Sequence, residues 1–204
     1  MSGTDIRTVI IGIGGAGCNV ISDVHISDSM EVIAITSDEK RYGSLDVRNR
    51  ILVDKDSGKT DDIEPLRRIL SDFDVAYIIA GMGGRTGTYY APAVASLAKG
   101  LGLIVHSISI SPFNFESLRV AKSEDGIAKM RMLCESTMVV ENEMALERYG
   151  DLTMSEIFSK INQTIVSYIE KQQDVTLRTF HDRLIGSERA NIRTALMQRS
   201  LASY

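Results

Sequence analysis

Short β-branched apolar runs alternate along this chain with longer segments whose apolar residues recur at helical spacing. Uninterrupted runs of this kind are typical of strands that are buried on both faces of a parallel sheet. Strands are predicted over residues 8–13, 32–35, 75–80, 103–108 and 137–140. Helices are predicted over residues 19–24, 63–73, 91–101, 118–133 and 154–169. This order predicts an α/β fold, a doubly wound and mostly parallel three-layer sheet of the Rossmann-like kind, which binds ligands at the carboxyl ends of its strands.

The amino-acid composition favours a folded globular protein and excludes several other classes. Of the 204 residues, 44% are hydrophobic and 25% are charged, as in a folded globular protein and unlike a disordered one. The net charge of -4 predicts no nucleic-acid-binding surface. No apolar stretch has the length of a transmembrane segment and the N-terminus shows no secretory pattern, so we expect a cytoplasmic protein. Cys18 and Cys134 lie far apart and indicate neither a disulfide framework nor a zinc site.

A glycine-rich loop follows the first predicted strand. Its sequence, Gly12-Ile-Gly-Gly-Ala-Gly17, leads into a helix, whose N-terminus and exposed backbone N–H groups suit a phosphate. The same residues also satisfy the GxGxxG pattern of dinucleotide-binding proteins, and Asp38 follows at the distance of a ribose-binding acid. An NAD-dependent oxidoreductase is therefore an alternative. It is the less favoured one, because no residue suited to hydride transfer stands out and His106 lies within a strand pattern.

A second glycine-rich loop follows the strand at 75–80. Its residues, Gly81-Met-Gly-Gly-Arg-Thr-Gly-Thr88, add backbone donors and two hydroxyls at the same edge of the sheet. A dinucleotide fold does not need this second loop. Two phosphate-binding helix N-termini suit a nucleoside di- or triphosphate, whose charge of about -3 to -4 is stabilised by several fixed donors.

With these two loops the sequence resembles the tubulin/FtsZ superfamily of GTP-binding cytoskeletal proteins, and within it the FtsZ branch. The resemblance covers residues 7 to about 171. Residues 81–88 are similar to the GGGTGT[GS] signature of that superfamily. Further segments match in the family's order: Gly12–Asn19, Ala91-Pro92, Ser111-Pro-Phe-Asn-Phe-Glu116, Glu124-Asp-Gly-Ile127 and Asn142. The resemblance implies an FtsZ-like GTP-binding domain over residues 1–171 that ends in a central helix. The chain then turns basic and less periodic, and a basic, helical tail is predicted over residues 172–204.

The resemblance also implies a ligand, GTP or GDP with Mg²⁺ as an accompanying ion, and a set of binding residues. By similarity, the first loop would lie against the nucleotide and the second would hold its phosphates. Glu116 and Arg119 would contact the ribose and phosphates. Asn142 and Glu156 would contact guanine. The loop residues are Gly14, Gly15, Asn19, Gly83, Gly84, Thr86, Gly87 and Thr88. Two alternatives stay open: Thr153-x-x-Glu156 is also a capping box at the start of a helix, and Asn142 is also a common turn residue.

Several positions depart from the family pattern. Arg85 replaces the third glycine of the signature, where it is either an added phosphate contact or a solvent-facing side chain, and Tyr89 replaces a small residue. A polar linker over residues 54–62 stands in place of the glycine-rich loop that senses the γ-phosphate in the family. The stretch that matches the family's catalytic acidic loop, residues 174–182, carries Thr176, Arg178 and His181 instead. Arg178 cannot act as a general base, and no catalytic residue is assigned.

The sequence therefore predicts a single-domain FtsZ-like protein that binds GTP or GDP, hydrolyses GTP weakly or not at all, and acts in cell division or cytoskeletal filament assembly. Because the chain ends where the family continues into an activation domain, we expect self-association unlike that of the family. The partner is expected to be a second copy bound head to tail, or a full-length FtsZ-like protein. The alternative function is a nucleotide-binding regulator that caps full-length FtsZ-like filaments.

Overall fold

Within the described part of the chain, six parallel strands form one sheet, on which helices pack. A computed structural model of the protein describes residues 6–23, 30–54 and 60–173, together with residues 175, 176 and 178. The strands found there are β1 (Thr8–Ile13), β2 (Met30–Thr36), β3 (Asn49–Leu52), β4 (Val75–Gly81), β5 (Ile104–Ser111) and β6 (Ser136–Glu141). Their order in the sheet is β3-β2-β1-β4-β5-β6, and every neighbouring pair is parallel. The predicted doubly wound α/β sheet is confirmed.

Helices connect these strands. They are α1 (Gly14–Asp23), α2 (Glu39–Ser44), a 3-10 turn (Thr60–Ile63) that leads into α3 (Glu64–Leu70), α4 (Arg85–Gly100), α5 (Ser117–Leu133) and α6 (Asn142–Tyr149). A last helix, α7, covers residues 154–173. Helices α1 and α4 begin further toward the N-terminus than the sequence predicts, at 14 instead of 19 and at 85 instead of 91. The reason is that both first turns are built from glycine-rich sequence, which carries no apolar periodicity.

Strand β3 and helices α2 and α6 are absent from the sequence prediction. The residues of β3 are Asn-Arg-Ile-Leu, and only the isoleucine is buried. Helix α2 contains no buried residue. It begins because the Asp38 carboxylate accepts a hydrogen bond from the Arg41 backbone N–H, over 3.0 Å. This backbone hydrogen bond is also the main reason why the pKa of Asp38 lies below its ordinary value.

The order of strands reverses next to β1. From β1 the chain moves outward through β2 and β3, and it then returns to place β4 on the other side of β1. Gly12 of β1 pairs with Ala34 on one side and Ile79 on the other, so the three carboxyl ends lie together. A reversal of this kind opens a crevice at the carboxyl edge, which is where open α/β sheets bind their ligands.

The central strands supply the hydrophobic core. Every residue of β1 is buried, and in β4 all residues before the final glycine are buried. His106 of β5 belongs to this core: its ring stacks on that of Tyr77 with 5.1 Å between centroids, and its Nδ1 lies 2.8 Å from Ser136 Oγ. The side chain is thus held within the sheet, away from the carboxyl edge where a ligand would bind.

The chain divides into two compact units, Met1–Ile165 and Val166–Tyr204. The sheet and helices α1–α6 belong to the first unit. The predicted basic tail falls almost wholly outside the described residues, as does His181. Within the described part of the chain, no helix has the length and apolar character needed to cross a membrane.

Candidate functional site

The two glycine-rich loops meet at the carboxyl edge of the sheet. Strand β1 passes directly into α1 at Gly14, whose φ of +71° is left-handed, and a β-carbon built there would lie 3.4 Å from the Gly87 nitrogen. Gly83 has a φ of +85°. Gly87 packs so closely beneath strand β4 that an added β-carbon would lie 2.2 Å from the Gly81 carbonyl oxygen. Only glycine fits these positions, and the two helix N-termini are therefore brought side by side.

Hydroxyl groups hold the second loop in place. The Gly83 N–H donates to Thr88 Oγ1 over 2.7 Å, and the Thr86 and Ser37 hydroxyls lie 2.7 Å apart. Ser37 follows β2, so this second bond ties the start of α4 to the end of β2, across β1. The first N–H groups of α1 and α4 have no acceptor within their own helices. These backbone groups are the donors that the two loops offer to an anion.

A cavity of about 510 Å³ opens beside the first loop. Its size is in the range that holds small-molecule ligands. Four of the predicted site residues line it: Asn19, Glu116, Arg119 and Asn142. The remaining lining residues include Ala16, Gly81, Met82, Ile110, Phe113, Phe158, Ser159 and Asn162. The cavity thus joins the ends of β4, β5 and β6 to the first loop and to α7.

Asn142 holds an unpartnered acceptor at this cavity. It follows β6 as the first residue of α6, and only 8% of its surface is exposed. Within the part of the chain that the structure describes, its side-chain Oδ1 has no hydrogen-bond partner. A buried polar atom left without a partner is rare in native proteins, because it carries the full cost of desolvation. Asn142 lines the cavity, while this oxygen itself has almost no accessible surface, so its missing partner is a feature of the cavity wall.

Glu116 and Arg119 form an ion pair on the rim of the same cavity. The Glu116 carboxylate also accepts a hydrogen bond from the Phe113 backbone N–H over 3.3 Å, so the loop before α5 fixes its position. Arg119 reaches the second glycine loop: its Nη2 would lie 3.4 Å from a β-carbon on Gly84. The pair places one carboxylate and one guanidinium between the cavity and the second loop.

Glu156 does not line the cavity. Its carboxylate instead accepts hydrogen bonds from the backbone N–H and the hydroxyl of Thr153, over 2.8 and 2.7 Å, at the start of α7. These side-chain and backbone bonds lower its pKa below the ordinary value of 4.5. The capping-box interpretation of Thr153 and Glu156 is confirmed. Asn162, further along α7 and 7% exposed, lines the cavity from the same helix.

Asn162 and Phe158 were missed by the sequence analysis. Both lie within the helix predicted over residues 154–169, and the sequence analysis assigns neither of them to the site. The available signal was the polar side chain of Asn162 next to Ile161, on the face that the apolar spacing predicts to be buried.

Arg85 does not line the cavity that Asn142 lines. It lines a second cavity, of about 660 Å³, between α4 and α5, together with Tyr89, Lys122 and Lys129. The two positions that depart from the family signature, Arg85 and Tyr89, therefore lie at this second cavity, one turn apart on α4. Gly83, Gly84 and Thr88 border it as well. The structure does not bring the Arg85 side chain to the cavity lined by Asn142.

Arg41, which the sequence analysis does not single out, lies against the first loop. Its Nη1 donates to Asn19 Oδ1 over 2.5 Å. A β-carbon built on Gly15 would lie 3.9 Å from Arg41 Nη2. Asp38, the candidate ribose-binding acid of the dinucleotide interpretation, caps the helix that carries Arg41.

The end of the polar linker is tied to α4. The buried Tyr90 hydroxyl lies 2.8 Å from the Asp54 carbonyl oxygen and 2.6 Å from Asp62 Oδ2, and its single hydrogen is shared between these two acceptors. Asp62 Oδ2 also accepts from the Asp54 backbone N–H over 3.3 Å. Residues 55–59 of the linker lie outside the described residues. Across the described ranges, no group of three or more histidine, cysteine, aspartate or glutamate side chains could hold a metal ion.

Comparison with known proteins gives a consistent result. The family model described as "Tubulin/FtsZ family, GTPase domain" matches residues 55–150. The chain is 31% identical over 183 residues to "Cell division protein FtsZ 2" of Halobacterium salinarum, which covers 81% of this chain and 47% of that protein. It is 30% identical over 215 residues to "Cell division protein FtsZ 2" of Haloferax volcanii, with 97% of this chain and 53% of that protein covered. The chain spans about half the length of these relatives.

Solved structures agree on the fold. An FtsZ dimer of M. jannaschii superposes with a TM-score of 0.72 at 22% identity, covering 80% of this chain and 53% of that one. CetZ of Methanosaeta thermophila superposes with a TM-score of 0.66 at 16% identity, covering 83% of this chain and 54% of that one.

Proposed function

This chain belongs to the tubulin/FtsZ family, and we propose on that basis that it binds the guanine nucleotides GTP and GDP at the cavity beside the first glycine loop. The nucleotide-binding part is proposed to comprise residues 1–171. The proposal includes a cytoplasmic location and a role in cell division or filament assembly, which rests on the names of the relatives.

The observation that carries the guanine assignment is the unpartnered Asn142 Oδ1. Guanine carries an exocyclic amine on C2, next to its N1–H, and both groups donate hydrogen bonds. Adenine carries only a C–H at C2 and an acceptor at N1. Because the 6-amino group of adenine can also donate to a single acceptor, the choice of guanine rests on the family to which the chain belongs as well, and Asn142 and Asn162 are the amides proposed to contact the base.

The phosphates are proposed to lie over the two glycine-rich loops. The N-terminal N–H groups of α1 and α4 converge there, and Arg119 reaches the second loop from the cavity rim. A Mg²⁺ ion is part of this proposal, as an ion that binds mainly through nucleotide phosphates and one or two carboxylates. Arg119 and Glu116 would then lie between the phosphates and the base.

Hydrolysis is proposed to be weak or absent. The support is the sequence of residues 174–182, where Arg178 stands among the residues that match the family's catalytic loop. A guanidinium stays protonated at any physiological pH and cannot accept a proton from water. Residues 175, 176 and 178 are helical, and the other residues of this stretch lie outside the described residues.

A head-to-tail contact with a second copy is the partner that we propose. Two large apolar side chains lie exposed on the loop and first turn of α5: Phe115 is 75% exposed and Leu118 is 83% exposed. Phe115 stacks on Phe113, a lining residue of the cavity, with 5.2 Å between ring centroids. Apolar side chains on the rim of a ligand site are suited to burial by a neighbouring molecule.

A thermal-unfolding comparison tests the ligand. The nucleotide-free protein is heated with GTP, GDP, ATP or NAD at matched concentration. A ligand at about 100 times its Kd adds roughly 2.7 kcal/mol, which raises the midpoint of a domain this size by about 5 to 10 °C. GTP and GDP should each give this shift, and ATP and NAD should not. An equal shift with ATP would contradict the guanine assignment, and a shift with NAD alone would favour the oxidoreductase.

A further inference from the structure

Helix α5 separates two cavities of opposite charge. Its buried residues, Ser123, Gly126, Ile127 and Met130, follow one line along the helix, so polar residues occupy both of its flanks. On one flank α5 lies close to α4, because a β-carbon built on Gly126 would lie 3.0 Å from Thr88 Cγ2. On the other flank α5 faces the end of β6 and helix α6. Each flank borders a cavity.

The cavity between α4 and α5, called the basic cavity from here on, is lined by Arg85, Lys122 and Lys129. Among its described lining residues, Asp125 is the one carboxylate, and it pairs with Lys129 over 2.6 Å. Lys122 takes part in none of the ion pairs found within the described ranges. Tyr89, which is 46% exposed, adds an aromatic ring to the lining. The basic cavity therefore combines a net positive charge with an apolar surface.

The cavity between α5 and α6, called the acidic cavity, has a volume of about 450 Å³. Its described lining residues include one cation, Arg131, and four glutamates: Glu124, Glu141, Glu143 and Glu147. The Glu143 carboxylate accepts a hydrogen bond from the Asn114 backbone N–H over 2.9 Å. The ion pairs found within the described ranges include none of the four glutamates. Carboxylates gathered in this way attract a surface of the opposite charge.

The two cavities also match in their apolar groups. Met144 and Glu147 are three residues apart, so they share one face of α6, and both are exposed. The basic cavity offers Lys122 to the carboxylate and the Tyr89 ring to the thioether, which makes favourable contacts with aromatic rings. Both cavities belong to the compact unit Met1–Ile165 and lie on opposite flanks of α5, so they cannot meet within one chain.

We propose that copies of this chain associate through these two surfaces, with α6 of one copy docked in the basic cavity of the next. This inference goes beyond the proposed function, because the contact needs no nucleotide and neither cavity is lined by Phe115 or Leu118. It gives a role to Arg85 and Tyr89, the two positions that depart from the family signature. Since the two surfaces differ, each copy keeps a second surface with which the assembly continues or closes into a ring.

Sedimentation velocity of the nucleotide-free full chain at low and high salt measures this association. Lys122→Glu reverses a charge of the basic cavity, and Glu147→Lys reverses a charge of the acidic one. Lys99→Glu is the matched control, since Lys99 is exposed on the last turn of α4 and lines neither cavity. The same series is repeated with Phe115→Ser and Leu118→Ser, which remove the proposed head-to-tail contact. Circular dichroism and the unfolding midpoint establish that each variant folds.

The wild-type chain should associate without nucleotide, in both series. Raising the salt from about 0.05 to about 0.5 M should weaken the association about 10-fold or more, because the charges involved are exposed to solvent. Lys122→Glu and Glu147→Lys should each weaken it about 10-fold or more, since like charges then face each other, and Lys99→Glu should leave it unchanged. An equal mixture of Lys122→Glu and Glu147→Lys should associate again, because each variant keeps the surface that the other has lost.

A wild-type chain that stays monomeric at every concentration would overturn the inference. So would a mixture that fails to associate, because the two surfaces would then not be partners of each other. An equal loss in Lys99→Glu would assign the effect to net charge, and loss of all association with Phe115→Ser and Leu118→Ser would assign it to the head-to-tail contact; either result overturns the inference. The Kd for GTP, measured on the same chains, tests the proposed function separately: a chain that associates as described and binds no GTP would contradict only the latter.

Discussion

Asn142 connects the end of a strand, the start of a helix and a cavity. It is the first helical residue of α6 and directly follows the N-cap, Glu141. Local structure does not explain why its amide oxygen is buried without a partner. The N-cap residue of α6 is Glu141, and its side chain makes no capping hydrogen bond. The free acceptor is therefore the property that a bound base would use.

The first prediction concerns this acceptor. Asn142→Ala should weaken GDP binding about 10-fold, because the guanine amine loses its partner in a buried site. Inosine diphosphate lacks that amine. The wild-type chain should therefore prefer GDP over inosine diphosphate, and the variant should bind both alike. Competition against a fluorescent guanine nucleotide measures both ratios.

Asn114→Ala is the matched control for Asn142→Ala, since Asn114 is an exposed asparagine near the same edge of the sheet. It should leave both affinities unchanged. A wild-type chain that binds GDP and inosine diphosphate equally would remove Asn142 from the recognition of the base.

At the scale of elements, α7 carries two polar residues with different roles. Glu156 stabilises the start of the helix through Thr153, whereas Asn162 lies at the cavity. The sequence pattern identified the helix and its capping box, because both depend on residues close together in the chain. It could not identify Asn162, because that choice depends on which side of α7 meets the ends of β4 to β6. That information lies in the packing of distant segments.

The difference between local signals and the packing of distant segments also explains which strands and helices the sequence predicts. The strands at 8–13 and 75–80 and the two glycine loops are predictable, since continuous β-branched runs and glycine spacing are local signals. Strand β3 and helix α2 are not, because β3 has four residues with one buried, and α2 has none. Arg41 was missed for that reason: it lies on an element without an apolar pattern.

The second prediction uses the pH dependence of the α7 cap. The pKa of Glu156 is lowered by folding, so its contribution to the free energy of unfolding is fully present above its unfolded pKa and is lost as pH falls through the lower, folded pKa. Glu156→Ala should lower the unfolding midpoint at pH 7, and the difference from wild type should shrink as the pH is taken below 4.5. Thermal unfolding monitored by circular dichroism across this range measures it.

GTP affinity is the readout that separates the two interpretations of Glu156. A residue that only caps the helix should leave the Kd for GTP at pH 7 unchanged when it is replaced by alanine. A selective loss of guanine over adenine nucleotides in Glu156→Ala would instead support the base contact that the family resemblance implies.

At the scale of the whole molecule, the chain matches about half the length of its relatives, and this half contains both glycine loops. The surface next to the cavity is apolar at Phe115 and Leu118. Exposed aromatic and aliphatic side chains that lie together in this way form a face suited to association. Head-to-tail contacts between identical copies use two different surfaces, so they continue into a filament unless the rotation closes them.

The third prediction concerns this association. In sedimentation velocity with GTP, the wild-type chain should sediment faster as its concentration rises. Phe115→Ser combined with Leu118→Ser should reduce that dependence, because the contact then buries less apolar surface. Each Å² of apolar surface that is no longer buried lowers the free energy of association by about 25 cal/mol. Met132→Ser is the control, since Met132 is 81% exposed on the last turns of α5, away from the cavity lining. A wild-type chain that stays monomeric at every concentration would contradict the head-to-tail proposal.

Strand β1 passes into α1 without an intervening residue, and this junction constrains how the chain can vary in length. Each residue inserted between Ile13 and Gly14 would turn the helix by about 100° and advance it by about 1.5 Å. Asn19 would leave Arg41, and the Cys18 thiol would leave the Ile35 carbonyl oxygen that it now approaches to 3.7 Å. Natural variants of this protein should therefore accept insertions at the turn between α3 and β4, and none at the first glycine loop.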